Sequence, residues 1–142
     1  MASLATRPVF AIRAIGPFLG ALGAYHLGIA AWMTAAPHSF FARVGPFGSY
    51  NAHYLRDNAT WEAALGVLLL LAVARPAWRL AVVALATVQC ALHAVNHVVD
   101  VDAARAGSSA GVLDAVSLAL LTVVLVAVLI LIARTEGTEG GR

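Results

Sequence analysis

Two residue pairs in this chain have a spacing that could bind a metal ion. His93 and His97 lie four residues apart, and His53 and Asp57 repeat that spacing upstream. Residues four apart share one face of a helix, so the two side chains of each pair can reach one point. Imidazole and carboxylate groups bind zinc, copper and iron, and a haem b held between histidines of different helices is a variant. The predicted metal ligands are His53, Asp57, His93 and His97, with Asp100 and His26 as further candidates.

The same residues could instead satisfy one another. A His–Asp hydrogen bond, or an ion pair of Arg56 with Asp57 or with Asp100, would account for them without any ligand. The spacing of His93 and His97 also lacks the glutamate of the HExxH zinc motif. A structural polar cluster is therefore the alternative to a metal site.

Glu62 and His26 each lie deep in an apolar segment. Ionisable groups at such a depth are costly unless they are paired or bound, so they should face the interior of a helix bundle. We expect a hydrogen bond between them. They are the candidate catalytic residues of a second hypothesis, a pocket for a lipid, quinone or isoprenoid in which they act as proton donor and acceptor.

The third of the four apolar segments along the chain, residues 77–99, has one polar face. At about 100° per residue, its polar side chains fall within roughly a third of the helix circumference. This spacing predicts a helix whose polar face points into a bundle, and the residues on that face are Gln89, His93, Asn96, His97 and Asp100.

The composition shows which elements must position these residues. Of the chain, 61% is apolar and 11% is charged, whereas soluble domains are nearer half apolar and a quarter charged. A lipid bilayer accommodates this apolar excess. The basic residues are single arginines without a basic patch, so nucleic acid is excluded as a partner. Cys90 is the single cysteine, which excludes an internal disulfide.

Four apolar segments are long enough to cross a bilayer, which requires roughly 20 residues. They predict an all-α, integral membrane, antiparallel four-helix bundle in one domain, residues 1–134, followed by a disordered polar tail, residues 135–142. The second and third segments should form a hairpin around Pro76, and the stretch 35–51 should be a loop. The predicted spans are residues 9–34, 52–74, 77–99 and 112–133.

The arginines indicate the orientation. One side of the predicted topology holds Arg7, Arg13, Arg75, Arg79, Arg134 and Arg142, and the other holds Arg43, Arg56 and Arg105. The positive-inside rule then places both termini in the cytoplasm. All five histidines, Glu62 and Asp114 fall in the outer half.

The first segment carries small residues at four-residue intervals, a pattern that allows another helix to approach closely. The partner helix could belong to the same chain, to a second copy in a homo-oligomer or to a larger membrane complex. This pattern supports a third hypothesis, an accessory subunit that docks through Gly16, Gly20, Ala24 and Gly28.

Residues 51–57, with the sequence NAHYLRD, are followed by an apolar run and then by His93 and His97. This arrangement resembles four-helix integral membrane proteins of bacteria, the DoxX-like group, over about residues 46–100. The resemblance implies an inner-membrane bundle and supplies no reaction. Nothing in the chain resembles a P-loop or a nucleophile elbow, so the sequence leaves open whether the protein is an enzyme.

Overall fold

Four long helices and one short helix make up most of the described chain. The computed structural model describes the backbone of residues 6–103 and 108–139, and the side chains of residues 12–102 and 111–135. The helices are α1 (Thr6–Ala35), α2 (Pro37–Arg43), α3 (Ala52–Ala74), α4 (Arg79–Val99) and α5 (Ser108–Glu139). Single turns of 3-10 helix lie before and after α4, at Pro76–Trp78 and Val101–Ala103.

The structure confirms the predicted all-α four-helix bundle. α3 has the predicted bounds, and α4 follows it through the turn at Pro76. The stretch predicted as a loop contains α2, where Pro37 stands in the first turn and Phe40 and Phe41 are buried. α5 continues to Glu139, into the segment predicted to be a disordered tail. Residues 140–142 and Arg105 lie outside the described residues.

The four long helices are long and apolar enough to cross a membrane, which identifies an integral membrane protein. The candidate spans contain between 23 and 25 residues each and are Ile12–Ala35, Ala52–Ala74, Pro76–Val99 and Gly111–Thr135. Many large apolar side chains of these helices are exposed, as a lipid-facing surface requires. On α5 they include Val112, Leu113, Val116, Leu120 and Val123.

The bundle consists of two closely packed helix pairs. α1 packs along α3, and α4 packs along α5. The contacts between α3 and α4, and between α1 and α5, are much less extensive. α3 and α4 are joined by a tight turn around Pro76, as the sequence predicted, and each packs mainly on another helix. We call the end of the bundle that carries α2 the α2 end.

Two glycines allow α1 and α3 to cross closely. A methyl group added at Gly66 would lie 2.8 Å from Leu27 Cγ and 2.9 Å from the carbonyl oxygen of Gly23. A methyl group added at Gly23 would lie 3.0 Å from the carbonyl oxygen of Gly66. These oxygens belong to the backbone, so a change of side-chain conformation cannot make room for the methyl group. Glycine at both positions is what permits this crossing.

The predicted small-residue stripe is not the site of this close contact. Methyl groups at Gly16 and Gly20 would meet their nearest neighbours at 3.9 Å, an ordinary packing distance. A methyl group at Gly28 would meet nothing within 4 Å. Gly23, which lies outside the stripe, makes the tight approach instead. Docking of another subunit on the stripe stays a prediction.

Side chains satisfy backbone groups at both ends of α3. At its first turn, the Tyr54 N–H donates to the side-chain oxygen of Asn51 at 3.1 Å. At its last turn, Arg79 Nε–H donates to the carbonyl oxygen of Ala72 at 3.2 Å. Helix ends have unpaired N–H and C=O groups that such contacts satisfy. These contacts fix where α3 begins and ends, and thereby the depth of Glu62.

Substitution of Gly66 by alanine should destabilise the bundle by about 1–3 kcal/mol, because a methyl group must separate two helix backbones. The free energy of unfolding in detergent measures this effect. Gly28→Ala is the matched control, and it should be neutral or slightly stabilising, since alanine favours helix. Equal effects of the two substitutions would contradict the assignment of the crossing to Gly23 and Gly66.

Candidate functional site

A cavity of about 640 Å³ lies between the two helix pairs at the α2 end. All five helices contribute to its wall, and the loop between α2 and α3 contributes as well. Leu22, Ala86 and Leu125, which lie far from the α2 end along their helices, form an apolar part of its lining. The polar residues that line it include Tyr25, His26, Asn58, Glu62, Gln89, His93, Asn96, His97, Asp100, Asp114 and Ser117.

His26 and Glu62 form a hydrogen bond deep in the cavity wall, which confirms the prediction of this pair. Nδ1 of His26 lies 2.5 Å from Oε2 of Glu62, and the two side chains are 11% and 9% exposed. Either the Nδ1–H donates to a carboxylate oxygen, or a carboxylic O–H donates to Nδ1. These two forms differ in the position of one proton. The pair can therefore offer a bound molecule either a donor or an acceptor.

His93 and His97 form a second pair in the same cavity. Their Nε2 atoms lie 3.1 Å apart, and both residues are half-buried. The ring of His97 also makes an edge contact with Phe47, with 4.9 Å between ring centroids. Glu62 and His93 line the same cavity. The two pairs thus belong to one polar site.

The polar face of α4 points into the cavity, as the helical spacing predicted. Gln89, His93 and Asn96 all line the wall, and so do His97 and Asp100. Ala86 and Cys90 continue the same face. α4 therefore presents its polar stripe to the cavity and its apolar residues to α5 and to the outside.

His53 and Asp57 do not join this site, so the predicted convergence with His93 and His97 is wrong. They contact each other at 3.4 Å, with side chains that are 88% and 65% exposed. The reason is the position of each residue around α3. At about 100° per residue, His53 points roughly opposite to Glu62 and Asp57 points about 140° away from it. Glu62 faces the cavity, and the pair therefore faces outward.

Among the described side chains, the four predicted ligands therefore do not share one site. In the described part of the chain, no three His, Cys, Asp or Glu side chains are grouped so that they could share a metal ion. Arg56 forms neither of the two ion pairs considered for it among the described side chains. The polar cluster that does form comprises the His26–Glu62 pair and the face of α4.

Sequence reasoning missed the aromatic part of the cavity wall near its opening. Phe40 and Phe41 of α2 and Phe47 of the following loop all line the cavity. The first two are buried, and Phe41 makes an edge contact with Tyr50 at 5.5 Å between centroids. Phe40 and Phe41 soon after Pro37 could have indicated a short buried helix in this stretch.

No family model, curated protein or solved structure matches this chain. The resemblance to the DoxX-like group therefore stays a prediction. The fold and the site define the class of protein on their own. It is a four-helix membrane bundle with a polar cavity between two helix pairs.

Proposed function

We propose that the protein binds a lipid-soluble small molecule with a polar head, of lipid, quinone or isoprenoid type, in this cavity. His26 and Glu62 hold the head and act as its proton donor and acceptor. The observation that carries the proposal is a buried acid–base pair in the wall of a cavity within the membrane-spanning part of the fold. A paired imidazole and carboxyl group at that depth is typical of ligand and proton sites in membrane proteins.

The size of the cavity supports a small ligand. Its volume of about 640 Å³ lies within the range of roughly 300–1,000 Å³ that is usual for small-molecule sites. A ring or head group with the first part of a chain fits such a volume, and the rest of a long chain would lie outside it. Apolar side chains such as Ile29 and Met33 line the cavity beside the polar groups. This mixture matches an amphipathic molecule.

The gap between α1 and α5 supports entry from the lipid. These two helices make few contacts with each other. Tyr25 of α1, which is 58% exposed, and Ser117 of α5, which is also exposed, both line the cavity. These two exposed lining residues support an opening of the cavity between α1 and α5, within the membrane-spanning helices. A molecule dissolved in the bilayer could enter here without crossing water.

His26 and Glu62 would make different hydrogen bonds to the head of the ligand. Because Nδ1 of His26 and Oε2 of Glu62 are bonded to each other, the ligand would use the remaining atoms of the pair. A carbonyl oxygen on the head would accept from Nε2–H of His26, and a hydroxyl would donate to Oε1 of Glu62. Exclusion of water strengthens such hydrogen bonds. The pair then serves either as an anchor or, in a reaction of the bound head, as general acid and base.

Binding of a short-chain prenylated benzoquinone to the purified protein tests this proposal. Glu62→Gln should weaken the binding by roughly tenfold, because an interaction with an ionised group contributes about 1.5–3 kcal/mol. Asp57→Asn is the matched control and should leave the affinity unchanged, since Asp57 faces outward. Equal losses in the two variants, or no binding to the natural chain, would contradict the proposal. A stoichiometric metal that is lost in a His93→Ala, His97→Ala variant would favour the metal hypothesis instead.

The proposed location is a bacterial inner membrane, with both termini in the cytoplasm and the cavity opening toward the outer face. The distribution of arginines supports this orientation. Among described side chains, Arg13, Arg79 and Arg134 lie toward the end opposite α2, and Arg75 joins them at the turn before α4. Positive residues favour the cytoplasmic side.

Cysteine labelling tests this orientation. In a Cys90→Ala background, cysteine introduced at Ser108 should react with a membrane-impermeant thiol reagent added to intact cells. Cysteine introduced at Ala77, in the turn at the opposite end, should react only after lysis. The reverse pattern would place the cavity opening on the cytoplasmic side.

A further inference from the structure

Gln89 lies across the cavity from the His26–Glu62 pair and at the same depth. Its position is ten residues before the end of α4 at Val99, and Glu62 is ten residues after the start of α3 at Ala52. His26 is nine residues before the end of α1. All three helix ends lie at the α2 end, so each residue is about 14–15 Å from it along its helix. The three polar groups therefore form one layer.

The amide of Gln89 is open to the cavity. Its side chain lines the wall and has no hydrogen-bond partner among the described residues. Below this layer the lining is apolar, with Leu22, Ala86 and Leu125. A free amide carries two N–H donors and an acceptor oxygen. In a site within the membrane, such a group is available to a ligand.

We propose that Gln89 is the second anchor of the ligand and selects for a head with hydrogen-bonding groups on two opposite sides. This inference rests on the proposed function and specifies its ligand class. One group of the head contacts His26 and Glu62, and the opposite group contacts the Gln89 amide. A ring with two oxygens across from each other meets this requirement. An acyl chain or a prenyl alcohol, with its polar groups at one end, does not.

The discrimination follows from the cost of an unsatisfied polar group. When a ligand with one polar group fills the cavity, it displaces water and leaves the Gln89 amide unpaired. A site that is built to hydrogen-bond a ligand group discriminates strongly against an analogue that lacks this group. Gln89 therefore contributes to selectivity rather than to general affinity for apolar molecules.

Two probes with the same prenyl tail test the inference by equilibrium dialysis against the purified full chain. One is a benzoquinone with oxygens on opposite sides of the ring, and the other is a phenol with a single oxygen. Gln89→Leu should weaken the binding of the benzoquinone by roughly tenfold. It should leave the phenol bound as tightly or more tightly, because leucine removes the amide that the phenol leaves unpaired. Val88→Leu, at the neighbouring position of α4, is the control and should change neither affinity, because Val88 is 59% exposed and lies outside the cavity lining.

The outcomes separate this inference from the proposed function. Equal effects of Gln89→Leu on the two probes, no effect on either, or an equal benzoquinone loss in Val88→Leu would overturn the role of Gln89. In those cases, sensitivity of both probes to Glu62→Gln would leave the proposed function intact. A natural chain that binds neither probe would contradict the proposed function, and this inference with it. If Gln89→Leu folds poorly, Gln89→Asn, which keeps the amide on a shorter side chain, takes its place. Gln89→Asn should retain part of the preference for the benzoquinone over the phenol. A preference equal to that of the natural chain, or no preference at all, would overturn the inference.

Discussion

The hydrogen bond between His26 and Glu62 is the constraint on which this structure depends. An unpaired carboxylate or imidazole at the middle of a bilayer is costly, so each residue fixes the position of the other. The glycine crossing makes their contact possible, because Gly23 lies three residues before His26 and Gly66 lies four residues after Glu62. α1 and α3 approach closely at the glycines, and one turn away the two polar side chains meet at 2.5 Å.

The cavity follows from the way the helices pair. α1 and α3 use their shared surface for the close crossing, and α4 and α5 pack on each other, so little contact remains between the pairs. The space between them receives the polar face of α4, while the outward faces of the helices stay apolar and suit lipid. α2 and its phenylalanines add an aromatic wall at one end. The polar residues are thus tolerated in a membrane because they border a cavity or one another.

Much of this arrangement was predictable from the sequence. The four spans follow from apolar length, and the His26–Glu62 pair follows from the cost of burying each residue alone. The convergence predicted for His53 and Asp57 with His93 and His97 is not seen, because four-residue spacing places two side chains on one face without saying which face it is. Their angle to Glu62 around α3 would have corrected it. The crossing at Gly23 depends on where two helices meet, and no local pattern in α1 carries that information.

A double-mutant cycle on His26 and Glu62 tests the central claim most directly. His26→Leu and Glu62→Leu should each destabilise the bundle, and the double variant should be less destabilised than the sum of the two, by about 1.5–3 kcal/mol. The His53–Asp57 pair, with side chains 88% and 65% exposed, provides the control cycle and should show almost no coupling because solvent screens it. Additive effects at His26 and Glu62, or equal coupling in the two cycles, would contradict the account.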